Sequence, residues 1–104
     1  MYARVARWEG GSTDAIRGAA GEVRARAQGG PPEGVPAVGL TLLADPQGGR
    51  VMSITLFETE ADLREGDRVL NEMSPPGDGF GERQPIEMWE VAVDLRAGDP
   101  AATT

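Results

Sequence analysis

Residues 53–63, SITLFETEADL, decide how this chain is read. Met52, Ile54 and Leu56 alternate with Ser53, Thr55 and Phe57, a period of two that marks a strand. Glu58, Glu60 and Asp62 then follow at once. Clustered acids can hold a metal or move protons, and they can also begin a helix. Thr59 with Asp62 fits the S/T-x-x-D/E capping pattern, and each first-turn acid favours the helix dipole by ~0.3–1 kcal/mol. A metal would need several oxygens converging at about 2.0–2.6 Å, which a strand end running into a helix start, with no chelating repeat, does not offer. The stretch is therefore read as strand, cap and helix, and no metal site is assigned.

The neighbouring segments extend this reading. Upstream, Asp45-Pro46-Gln47-Gly48-Gly49 has turn composition, and the unbroken apolar run Pro36–Ala44 before it is expected to be a buried strand. Downstream, Leu63, Gly66, Leu70 and Met73 share a helix face, and Ser74-Pro75-Pro76-Gly77 stops the helix. A last strand is expected over about Gln84–Asp94. At the N-terminus, Tyr2–Trp8 reads as a strand. Ser12, Thr13 and Asp14 offer caps to a helix carrying Ile16, Ala19, Ala20, Val23 and Ala27, which ends near Gln28 before Gly29-Gly30-Pro31-Pro32.

The order is βαββαβ, which predicts an α+β, ferredoxin-like fold with a four-stranded antiparallel sheet. One domain covers residues 1–95, and residues 96–104 are expected to form a flexible tail. RVARWEGGSTDAIR and SITLFETEADLR echo one another. Taken as parallel central neighbours, their strands would bring Trp8-Glu9 and Phe57-Glu58 to one edge, with Trp89 close by. Two helices cover only one sheet face, and an apolar uncovered face marks an interface, so a homodimer packed sheet to sheet is expected.

Composition limits the chemistry. The 104 residues contain no Cys and no His, which removes thiol, disulfide and imidazole chemistry and Cys- or His-based zinc sites. Seventeen acids against ten basic residues, all Arg, give a net charge of −7, which disfavours nucleic acid and anionic membranes. No apolar stretch approaches the ~18–20 residues of a membrane span, and the first ten residues lack a signal-like core. A cytoplasmic location is expected, in keeping with the absence of cysteine.

The segments YARVARWEGG, GLTLLADPQGGRVMSITLFE and ETEADLREGDRVL resemble the dimeric α/β-barrel superfamily, in the branch of antibiotic-biosynthesis-monooxygenase-like domains. The similarity spans roughly residues 2–93 and rests on an aromatic-Glu-Ser/Thr-Glu motif at the end of the third strand. It implies a pocket between sheet and helices. In some relatives that pocket oxidises polyphenolic polyketides with oxygen and no metal or flavin, so no cofactor is expected. The polyketide-oxidising branch carries Asn, Trp and Tyr where this chain has Ser53, Phe57 and Leu63. Haem degradation in other relatives needs a histidine, which is absent here. Enzyme status is thus open between a protein that binds or oxidises a small aromatic molecule without a cofactor and a non-catalytic ligand-binding or stress-response dimer.

The candidate pocket residues are Tyr2, Arg4, Trp8, Ser53, Thr55, Phe57 and Trp89. The aromatic side chains would stack on a flat ligand or else fill the core, and Tyr2, Ser53 and Thr55 would supply hydrogen bonds. If Tyr2, Arg4, Ala6 and Trp8 share the face of Phe57, Arg4 lies under the helices. Its charge then needs Glu87 or another acid, or an acidic or phenolate ligand. The opposite alternation turns Arg7 inward. GDGFGE, residues 77–82, mimics a kinase glycine loop but lacks the preceding strand and any lysine, so it reads as a flexible loop at the pocket mouth.

Overall fold

A computed structural model of the chain describes residues 1–73, 79–95 and 97. The helix stop at Ser74–Gly77, the start of the GDGFGE loop and all of the expected tail except Ala97 lie outside the described residues. Five strands and two helices follow in the order β1 (Tyr2–Gly10), α1 (Thr13–Ala27), β2 (Gly39–Asp45), β3 (Arg50–Phe57), α2 (Glu60–Glu72), β4 (Gly81–Arg83) and β5 (Glu87–Glu90). The sheet runs β2-β3-β1-β4, with β5 also on β1, and every pairing is antiparallel. This α+β arrangement is compatible with the ferredoxin-like plan. Among the described residues no helix is long and apolar enough to cross a membrane.

Both helices begin on the expected caps. Ser12 Oγ accepts from the Ala15 N–H at 3.2 Å, and Thr59 Oγ1 accepts from the Asp62 N–H at 3.1 Å. Glu60 and Asp62 occupy the first turn of α2, and Glu60 is also bound by Arg64 at 2.7 Å. The acids after Phe57 thus start a helix, and no group of three or more acids among the described residues is arranged to hold a metal.

Three expectations about the sheet are corrected. First, β1 and β3 are antiparallel, pairing Tyr2 with Phe57 and Trp8 with Val51. The β2–β3 hairpin reverses the chain before β3 reaches β1, so Trp8 and Phe57 lie at opposite ends of the sheet. Second, β2 is an edge strand with Leu40 and Leu43 each 49% exposed. Its unbroken apolar run reflects two half-covered faces, not burial on both.

Third, the last strand is split. Gln84 N–H donates to Arg7 O at 2.8 Å, whereas Glu87 pairs with Val5, so Pro85 and Ile86 together oppose Ala6. Proline has no N–H to give the ladder, and the extra residue makes a bulge. The bulge reverses the alternation: Arg83, opposite Trp8, faces the helices, while Glu87 and Trp89, opposite Val5 and Ala3, face away from them.

The helix-covered face holds two apolar clusters. Beneath α1 lie Ile16, Ala19, Val51 and Phe80, with Trp8 and Leu42 against them. Beneath α2 lie Val35, Phe57 and Leu63, with Tyr2, Val69 and Leu70. Phe57 is 0% exposed, and its ring fits because residue 66 is glycine: a Cβ there would overlap the ring. The uncovered face exposes Leu43 and Trp89 (56%) and half-exposes Met52, Ile54 and Leu56.

Candidate ligand-binding pocket

Between the two clusters the sheet presents polar residues. The register places Arg4 beside Thr55, and Ala6 beside Ser53, both pairs on the helix side. Arg4 is only 5% exposed, and its charge is matched from α2. Nε donates to Asp67 Oδ1 at 2.9 Å and Nη2 donates to Asn71 Oδ1 at 3.0 Å. A buried guanidinium needs such a partner, because an unpaired one would carry several kcal/mol of uncompensated desolvation, about 3–5 kcal/mol when one member of a buried pair is removed. The acid is Asp67 and not Glu87. The bulge turns Glu87 to the other face, where it binds Arg7 at 2.7 Å. The inward alternation of Arg4 is the one the structure adopts.

Above this strip is a cavity of about 160 Å³ whose walls include Arg4, Trp8, Ser53, Thr55, Leu70 and Phe80. A void of about 150 Å³ lined by apolar groups admits one benzene ring, so this cavity matches a single aromatic ring. Trp8 and Phe80 form one wall, their ring centroids 5.2 Å apart and tilted by 56°. Ser53 and Thr55 hydroxyls make no hydrogen bond with another described residue and remain available for a ligand. The Trp8 indole N–H is buried with no partner among the described residues, a desolvation cost of about 1–3 kcal/mol.

The sequence candidates therefore divide. Arg4, Trp8, Ser53 and Thr55 meet at the cavity. Phe57 is sealed in the α2 cluster. Tyr2 and Trp89 border a separate open cleft of about 270 Å³ at the other end of the sheet, with Leu63 and Met88. That cleft also carries Glu60 and Arg64, which bind one another, and the exposed sheet edge, so it offers less enclosure for a ligand.

Phe80, Arg26 and Arg83 are among the cavity residues missed from sequence. Phe80 is 3% exposed and packs into the α1 cluster, so the described part of GDGFGE is a packed turn and not a loose loop. Gly81, at φ +91, lies against the Glu9 carbonyl and permits this turn. The flanking glycines were the available signal. Arg26, in the last turn of α1, and Arg83, on β4, also line the cavity. Arg83 Nη2 donates to Asn71 Oδ1, the same oxygen that Arg4 binds. Partial burial pushes the Arg83 guanidinium below its usual range, and repulsion from Arg4 adds to that, against an opposing pull from Asp67.

No protein-family model matches this chain, and no curated protein matches it.

Proposed function

We propose that this chain is a dimeric α/β-barrel protein of the monooxygenase-like type that binds a small aromatic molecule between its sheet and helices, without metal or flavin. The observation that carries the proposal is the ring-sized cavity walled by Trp8 and Phe80 with Arg4, Ser53 and Thr55 at its floor. Its size favours one ring over a fused polyphenol.

Binding without oxidation is the form better supported. Of the three positions where the oxidising relatives carry Asn, Trp and Tyr, Phe57 and Leu63 are closed into the core, and Ser53 alone borders the cavity. The homodimer belongs to the same proposal. Leu56 and Trp89 flank Ala3 across the uncovered face, next to the row of Ile54 and Val5, and a second sheet would remove this apolar surface from water. A cytoplasmic location goes with it, on the absence of cysteine.

The test is a titration with phenol followed by the two indole N–H resonances. The Trp8 signal is expected to shift and the Trp89 signal to stay; no Trp8 shift at millimolar phenol would remove the pocket reading. Sedimentation is expected to show a dimer at micromolar concentration, and a monomer there would remove the sheet-to-sheet assembly.

A further inference from the structure

We infer that the cavity is selective for an aromatic carboxylate, whose ring lies against Trp8 and Phe80 and whose anionic group is received by Arg83 and Arg26. The inference rests on reading the cavity as a ligand site and specifies what enters it.

The distribution of charge is the first ground. The chain carries seventeen acids and ten arginines, yet among the described residues three arginines and no acid line this cavity. In so acidic a protein a lining whose described charges are all cationic runs against the composition. The second ground is the pairing of those arginines. Arg4 is held by Asp67, so its charge is already matched. Arg26 and Arg83 form no ion pair with any described residue. Arg83 turns instead to the neutral oxygen of Asn71, which Arg4 also uses. Two guanidinium groups thus converge on one amide oxygen, where a carboxylate would be the stronger acceptor. The lowered proton affinity of Arg83 comes first from its partial burial and then from the neighbouring Arg4 charge, and a bound anion would offset both.

Shape selects the rest of the ligand. The apolar walls and the volume of about 160 Å³ suit one ring, and the planar fork of a guanidinium suits a carboxylate better than a diffuse charge. Arg26 and Arg83 are themselves exposed, so they can meet a charged group that stays partly hydrated while the ring is buried.

The experiment compares benzoate, benzamide and cyclohexanecarboxylate on the full chain and on R83Q and R26Q, by calorimetry, with thermal melts checking that the variants stay folded. Benzoate is expected to bind at least about tenfold tighter than benzamide, as a charge-assisted contact requires. Each substitution is expected to cut benzoate binding about fivefold while leaving benzamide within about twofold. Equal affinities for benzoate and benzamide would overturn the carboxylate inference and leave the aromatic pocket standing. So would a benzoate preference that neither substitution reduces. Cyclohexanecarboxylate binding as tightly as benzoate, and both tighter than benzamide, would keep the anion site and overturn the aromatic reading. Failure of all three probes to bind would overturn both.

Discussion

The two apolar clusters under the helices are built from similar materials and end differently. Under α2, Phe57 is fully enclosed, and Gly66 lets the helix approach its ring. Under α1, Trp8 and Phe80 meet at a tilt, the indole N–H finds no partner among the described residues, and space remains. Arg4 stands between them, and its pairing to Asp67 and Asn71 anchors α2 over the sheet while keeping a polar floor at the cavity. The contrast separates two uses of an aromatic residue in a small domain. One closes a core, and the other forms a wall of a space left for something else.

The sharpest way to break this contrast is to open the closed side. Phe57→Ala is expected to cost about 3–5 kcal/mol, read as a lower denaturation midpoint, because a fully enclosed ring leaves a cavity behind. A loss under about 1 kcal/mol would show that the α2 side is as loose as the other. Next comes Gly66→Ala. Alanine favours a helix by about 1 kcal/mol over glycine, but the added carbon would overlap the Phe57 ring, so a net loss of about 1–3 kcal/mol is expected by chemical unfolding. Stabilisation would mean that the helix can lift freely. The smallest effect belongs to the open side. Ser53→Val puts apolar bulk into the cavity and removes no hydrogen bond, so stability should change by less than about 1 kcal/mol while phenol and benzoate binding fall. A stability loss as large as that of Gly66→Ala would place Ser53 in a filled core.

What the sequence disclosed follows from how far each interaction reaches. Ser12 and Thr59 cap within three residues, so their side chains are legible in the local order of the chain. Arg4 was legible as a buried cation in need of an acid, since alternation along a strand is local too. The identity of the acid was not. Choosing Asp67 over Glu87 depended on the one-residue bulge at Pro85–Ile86, which exists only relative to Ala6 on another strand. The same bulge explains Trp89, which an unbroken alternation would have aligned differently. Phe80, Arg26 and Arg83 come to the cavity from a turn, a helix end and a short strand far apart in sequence. No period connects them. The direction of β1 relative to β3 needed only the hairpin to be counted, so that correction lay within reach of the order of elements.

The bulge has a further meaning for how such a chain can change. Arg83 faces the helices and Trp89 the uncovered side because two residues stand where one would complete the ladder. Removing one of them would exchange the surfaces on which the following side chains emerge, without altering any of their identities. Glu87 and Trp89 would then turn inward, and Met88 outward. In this edge strand the length of one short connection acts as a sorting rule, so a single codon gained or lost would rewrite the pocket and the outer sheet surface together.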